Sequence, residues 1–342
     1  MPAEWEPHAR TWIAWPHNVR DWPGKFPPIP WVFGEVVKKL APAERVGIIV
    51  RDVAMQKSAT RLLEKVGVAL ERIDFVRQAT DRIWTRDTGP SFIRDAGGHV
   101  AAVAWAFNGW AKYDNFTRDR KLAGRIATSA AAPVWHPRRP DGSAFVLEGG
   151  AIDVDGEGTL LCTEECLLDE AQARNPGVSR LEQERILGDA LGVDRVIWLG
   201  RGIAGDDTHG HIDDLARFVA PGRIALCRER DPSDANYPIL EENRERLQGA
   251  RDAHGRAIEV IDLPMPRPLL FQDQRLPASY ANFYVANDAV LVPTFNDPAD
   301  RAALGILAEL FPTRVVVGIH AVDLVWGLGT LHCMTQQEPR GE

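Results

Sequence analysis

Residues 297–319 read DPADRAALGILAELFPTRVVVGI. Asp297 and Pro298 form a helix start signal, Pro312 a stop, and the β-branched run at 314–319 suits a strand. The stretch is therefore an amphipathic helix leading into a short strand, and the same unit recurs along the chain. Helices are expected to begin near 55, 118, 180, 238 and 298, about 60 residues apart. In the first, Ala59, Leu62, Leu63 and Val66 make one apolar stripe. In the third, Ser179 and Glu182 fit a capping box ahead of Ile186, Leu187 and Leu191, and Gly192 supplies the stop. Strand-like runs follow each helix at 72–76, 133–135, 195–199, 257–261 and 314–319, and further runs, RVGIIV, HVAAVAW, FVLEGGAIDV, RIALC and AVLVP, lie between them. Strands outnumber helices, which argues against strict one-strand-per-helix alternation. The expected fold is a five-bladed α/β propeller with pseudo-five-fold repeats of about 60 residues. An extra helix at 33–41 departs from the pattern, and no Gly/Ser-rich or Pro-rich tract separates two units, so 1–342 is expected to be a single domain.

Composition narrows the function. Of 342 residues, 45% are hydrophobic and 26% charged, which suits a globular core. A net charge of -8 argues against nucleic acid as a partner and suits a cationic small molecule. The opening MPAEWEPHARTWIAWP lacks a basic start followed by an apolar stretch, and no run is long enough to span a membrane; a cytoplasmic protein is expected. Four cysteines, at 162, 166, 227 and 333, are too few for a disulfide framework. Cys162 and Cys166 have the spacing of half a metal site without a second pair and are read as structural.

Chemistry-bearing residues fall in phase with the helices. They occur in TDRIWTRDTGP (80–90), LEGGAID (147–153), DDTHGHIDD (206–214) and GTLHC (329–333). Sixty-one residues separate Asp87 from Glu148, 63 separate Glu148 from His211, and 122, twice 61, separate His211 from Cys333. Equivalent places in successive repeats point to one end of a closed fold, so these side chains are expected to meet. A thiol to attack, an imidazole to move protons and carboxylates to hold charge are the set for nucleophilic catalysis, although a lone cysteine is as often an inert core residue. Asp87, Glu148 and Asp213 exceed what one imidazole needs and imply a cationic substrate; Asp87 and Asp213 suit the two sides of a guanidinium. Trp84 is a stacking partner or a core residue, and Asn108 and Trp110 line the pocket mouth or simply make a turn. His332 is read as a structural or lining residue. The fourth repeat's position, between Gln272 and Asn282, is expected to line the substrate's tail.

The motifs resemble those of the agmatine deiminase and bacterial peptidylarginine deiminase family of the guanidine-modifying superfamily. The likeness runs nearly end to end, through MPAEWEPHARTWIAWP, WTRDTGPSF, FNGW, LEGGAIDVDGEGT, TEECLL, RNPG, GHIDDLARFVAPG, LVPTFNDPAD and HCMTQQEP. It implies hydrolysis of agmatine to N-carbamoylputrescine and ammonia, a step towards putrescine, through a thiouronium on Cys333. It also implies His211 as acid and base, Glu148 as its partner, Asp87 and Asp213 as clamps, and no metal or organic cofactor. Departures, THGH at 208–211 where many relatives carry TDGH and Gly327-Leu328-Gly329-Thr330 in place of a glycine triplet with Asn, bear on the substrate's far end. Rival readings are deimination of another guanidine such as peptidylarginine, an amidino transfer, a non-catalytic binding propeller, and a metal hydrolase. The last would use His209, His211 and Asp213 with His254 or His320. A homodimer is compatible with the sequence.

Overall fold

The computed structural model describes residues 1–341. Five small sheets follow one plan. In each, a first strand pairs antiparallel with a second, and the second pairs parallel with a third after a helical crossover, as parallel neighbours require. Ser91–Arg94, Val100–Val103 and Val134–Trp135 form one sheet, with the helix Leu122–Ser129 as its crossover. Asp153–Val154, Thr159–Thr163 and Arg195–Leu199 form the next, bridged by Arg180–Leu191. Ala216–Ala220, Arg223–Arg228 and Glu259–Pro264 follow with Asn236–Leu247, and then Tyr284–Val285, Ala289–Thr294 and Val315–His320 with Ala299–Leu310. The remaining sheet joins the two ends of the chain. Gln336–Pro339 pairs antiparallel with His8–Ala14, which continues in parallel to Arg45–Val50 and Ile73–Arg77.

The helices Ile29–Leu40 and Val53–Lys65 serve that four-stranded sheet, so the extra helix has an extra strand to connect. It begins four residues before the sequence-based expectation because Pro28 and Pro30 fall in its first turn, where a missing N–H costs nothing. The third helix starts as expected. Glu182 Oε2 accepts from Ser179 N at 2.9 Å, Ser179 Oγ accepts from Glu182 N at 3.4 Å, and Gly192 closes the helix at φ 67°. The helix expected near 118 begins at Leu122, after a 3-10 turn at Asp119–Lys121, and the strand expected at 257–261 lies at Glu259–Pro264. One expected strand is broken: within FVLEGGAIDV only Asp153–Val154 joins a sheet and Val146 makes an isolated parallel bridge to Ala106, because Gly149–Ala151 folds into a 3-10 turn.

That turn has counterparts. Thr85–Thr88, Gly149–Ala151, Ile212–Asp214, Tyr280–Asn282 and a turn at 331–334 each stand just before the first strand of a sheet. The first four pack each against the next. The turn at 331–334 joins both ends of that row: His332 N donates to Asn282 O at 3.1 Å, and Arg86 N donates to Cys333 O at 3.1 Å. The apolar core surrounds these turns on the sheet side, from Trp12, Ile48 and Phe33 round to Leu291 and Leu331, with a second cluster about Leu160, Cys162 and Leu187. Among the described residues no helix is long and apolar enough to cross a membrane.

Candidate active site

The five turns bring together Asp87, Glu148, His211, Asp213 and Cys333, all buried. Cys333 Sγ lies 3.6 Å from Asp213 Oδ2 and accepts from Asn282 Nδ2 at 3.1 Å. Burial pushes the Cys333 thiol well above its ordinary value, and Asp213, Asp214 and Asp87 push it further, which favours the protonated form.

His211 stands between two groups of carboxylates. Its Nδ1 is 3.9 Å from Asp87 Oδ1 and from Asp213 Oδ1, and its Nε2 is 3.7 Å from Glu148 Oε2. Burial works against a charged imidazole, but Asp87 and Glu148 outweigh it, and the His211 pKa is raised well above its usual value. Glu148 is itself anchored: Arg174 Nε donates to both of its oxygens at 3.2 Å, with both side chains fully buried. Arg174 also donates to the carbonyls of Gln172 and Thr208. Burial raises the Glu148 carboxyl, Arg174 lowers it, and the balance leaves it below its ordinary range. Sequence reasoning gave Arg174 no role and read Cys166 as structural. The Cys166 thiol lies beside His211 and Glu148, with donor atoms of all three within 4.8 Å of one another.

The two expected clamps differ in support. Asp87 Oδ2 accepts from Trp110 Nε1 at 2.8 Å and Oδ1 from Gly150 N at 3.0 Å. Burial, aided by Asp213 and Glu148, pushes its carboxyl up to about 6. Asp213 Oδ2 accepts from His332 Nδ1 at 2.7 Å, while Oδ1 is buried without a partner, open to a ligand. Burial raises the Asp213 carboxyl, and His332 more than compensates, holding it below the usual range. His332 is thus a bridge and more than a lining residue: its Nε2 donates to Glu4 Oε2 at 2.8 Å, and Glu4 is gripped by Arg217 at 3.0 Å and Arg86 at 3.2 Å. The opening MPAEWEPH segment reaches the floor of the site through this contact.

Gly150 leaves the space these groups share. A Cβ there would stand 2.6 Å from His211 Nδ1, 2.9 Å from Asp87 Oδ1 and 3.0 Å from Asp213 Oδ2. Gly150→Ala is expected to lower kcat/KM roughly tenfold or more, the size of a 1–3 kcal/mol overpacking cost, with steady-state kinetics and a melting curve as the check.

A narrow pocket lined by Trp84, Asp87, Trp110, Tyr113, Asp207 and Cys333 adjoins a wider cleft of about 580 Å³, the two sharing Arg82, Tyr113, Gly327 and Leu328. Trp84 both lines this pocket and packs on Trp22, with ring centroids 5.8 Å apart, so its two readings are compatible. Trp110 lines it as expected. Asn108 does not: its Oδ1 accepts from Ala111 N at 2.9 Å, the turn role alone. Within 272–282, Gln272 sits at a positive-φ hairpin turn, Gln274 lines the wider cleft, and Asn282 Nδ2 faces the sulfur.

The zinc alternative fails on convergence. The His209 ring turns to Glu165 and Asp169, at 4.0 and 3.6 Å, while His211 faces the opposite set; His254 and His320 are exposed.

The fold defines the class first: a mixed α/β protein of the kind that includes amidinotransferases. The solved amidinotransferase SxtG from Microseira wollei matches 99% of this chain and 96% of its own length at TM-score 0.50 and 13% identity, a likeness of fold alone. The chain belongs to the Porphyromonas-type peptidyl-arginine deiminase family, whose profile matches residues 1–339. It is 37% identical to the agmatine deiminase of Ectopseudomonas mendocina (strain ymp) over 99% of this chain and 95% of that relative. The solved agmatine deiminase of Enterococcus faecalis superposes at TM-score 0.91 with 33% identity, covering 99% and 95% of the two chains. A cysteine-to-serine variant of the C. jejuni agmatine deiminase, solved with substrate bound, superposes at TM-score 0.87 with 28% identity, covering 100% and 96%.

Proposed function

We propose that this chain is an agmatine deiminase, an amidine hydrolase that converts agmatine and water to N-carbamoylputrescine and ammonia. The observation that carries the reading is that Cys333 and Asp87 line one narrow pocket, with the buried His211 and the unpartnered Asp213 Oδ1 in contact distance of them. The full-length likeness to agmatine deiminases selects the substrate. Asp207 supports it from the other end: it is the second carboxylate lining the narrow pocket and accepts from Lys112 Nζ at 2.5 Å and Tyr113 OH at 2.6 Å, a place where the substrate's ammonium replaces Lys112. Five like sheets whose turns meet in a row support a five-bladed propeller closed by the pairing of His8–Ala14 with Gln336–Pro339, and a single domain. Four free, buried cysteines suit a reducing cytoplasmic setting.

The chemistry follows from the charges. A guanidinium between Asp87 and Asp213 offsets the carboxylates that hold the Cys333 proton, so binding releases that proton to solvent and forms the thiolate. Sγ attacks the guanidinium carbon and a C–S bond forms. His211, held as imidazolium by Asp87 and Glu148, gives its proton to one nitrogen, which leaves as ammonia as the C–N bond breaks. Neutral His211 then takes a proton from water, and the hydroxyl adds to the thiouronium carbon. The C–S bond breaks as the C=O forms, the hydroxyl proton passes to the departing sulfur, and the Cys333 thiol and the ureido product are released.

Agmatine, arginine and a blocked arginine peptide compared for ammonia release test the substrate; release from agmatine far above the other two supports the reading, and preference for either of the others overturns it. The pH profile carries a further expectation. Below about 6 Asp87 gains a proton and no longer pairs with a guanidinium, so kcat/KM is expected to fall as pH drops through that value. The folded protein takes up this proton more readily than the unfolded chain, whose aspartate value is 3.8, so this titration does not destabilise the fold between the two values. Activity should therefore fall before the melting temperature does; coincident losses would contradict the assignment.

A further inference from the structure

The sulfur of Cys333 has two neutral hydrogen-bond donors that the scheme above does not use, the backbone N–H of Thr330 and the side-chain amide of Asn282, and only the second is open to substitution. Asn282 Nδ2 donates to Cys333 Sγ at 3.1 Å and to Asp214 Oδ1 at 3.1 Å. Its orientation is determined by the other end of the amide: Oδ1 accepts from Thr330 Oγ1 at 2.7 Å, His332 N at 3.0 Å and Cys333 N at 3.4 Å. A flipped amide would set its NH2 against those donors, so the nitrogen faces the sulfur. An amide nitrogen accepts nothing, so the sulfur is the acceptor, and the bond strengthens as the sulfur gains negative charge. The side chain is fully buried, with no room for water to take its place. Burial and the neighbouring Asp213 and Asp206 push the Asp214 carboxyl well above its ordinary range.

We propose that Asn282 is a catalytic residue whose side-chain N–H stabilises the Cys333 thiolate, first when substrate binding forms it and again when the sulfur is expelled from the tetrahedral adduct that hydroxyl addition forms. Asp87, Asp213 and Asp214, from the turns packed around the sulfur, all oppose its ionisation; Arg82 lines the same pocket, and His211 stands against Asp87 and Asp213. A fixed donor on the sulfur answers that opposition in both steps, including product release, when the substrate's positive charge is being lost. The proposal rests on Cys333 as the nucleophile and needs no particular guanidine.

The test is the pH dependence of Cys333 alkylation by iodoacetamide, with Cys333→Ala as the blank for the other three thiols. It compares the parent with Asn282→Ala, which removes the donor, and with Thr330→Val, which removes a contact to Oδ1 and keeps the donor. The midpoint for Asn282→Ala is expected to rise by about one unit or more and kcat for agmatine to fall roughly 10- to 100-fold, the worth of one charge-assisted hydrogen bond. Thr330→Val should keep the parent's midpoint. An unchanged midpoint in folded Asn282→Ala overturns the proposal, as does an equal rise in Thr330→Val, which would make Asn282 a brace for the turn. If the alanine variant lacks a melting transition, Asn282→Ser, too short to reach the sulfur, decides on the same criterion. A parent enzyme that alkylates at Cys333 but ignores agmatine would count against the substrate, with the alkylation result still deciding the role of Asn282.

Discussion

Replacing Cys333 with alanine is expected to lower ammonia release from agmatine by at least about 10⁴-fold, the order seen when a covalent nucleophile is removed. No other thiol takes its place. Cys162 and Cys227 are packed in strands, and Cys166 adjoins the Nε2 side of His211 with Glu148, whereas the narrow pocket opens to Cys333. The fold should tolerate the change: Cys333 has no ionic partner, and its surroundings disfavour its charged form, so little stabilisation is lost. The guanidinium contacts on Asp87 and Asp213 remain, and calorimetry should still detect agmatine binding to the inactive variant. Loss of binding together with activity would mean that Cys333 shapes the pocket.

His211→Gln is the second large effect. It should lower kcat roughly 10²- to 10⁴-fold, the usual worth of a positioned acid and base, with a smaller change in KM because the clamps stay in place. It should also destabilise. Asp87, Glu148 and Asp213 would lose the cation they face, and leaving buried charge uncompensated typically costs about 3–5 kcal/mol. Arg174 on Glu148 and His332 on Asp213 moderate this loss. The sign with pH is determined by the raised folded value of His211. Its contribution is complete below the unfolded value of 6.5 and disappears as pH rises through the folded value. The difference in melting temperature between parent and variant should therefore be largest in mild acid and shrink in alkali. A gap that widens with pH would show that His211 is neutral in the folded protein.

Asp87, Glu148, His211, Asp213 and Cys333 were legible because each stands in the turn before the first strand of a sheet, and the repeats keep those turns about 60 residues apart. Asn282 was harder to read for the same reason. It lies 71 residues after His211 and 51 before Cys333, because the hairpin Leu270–Phe271 with Gln274–Arg275 lengthens the fourth repeat and shifts the phase. An alignment of the turns by the strand that follows each would have found it. The supports of the site had no such signal. His332 meets Glu4 across 328 residues, and Arg174 meets Glu148 from outside the repeating turns. Such ion pairs depend on tertiary approach and leave no period. Cys166 belongs with them: with no second pair to complete a metal site it reads as structural, while its thiol lies beside His211 and Glu148. The His-x-His-x-Asp run supplied only a rival reading, and the His209 ring faces Glu165 and Asp169 while His211 faces Asp87, Glu148 and Asp213.

The most direct measurement of the central claim is mass spectrometry of the enzyme acid-quenched during turnover of agmatine. Covalent catalysis by Cys333 predicts an adduct equal to agmatine less ammonia, confined to the peptide that carries Cys333 and absent from Cys333→Ala. Full release of ammonia with no adduct on that peptide, or the adduct on another cysteine, would contradict it.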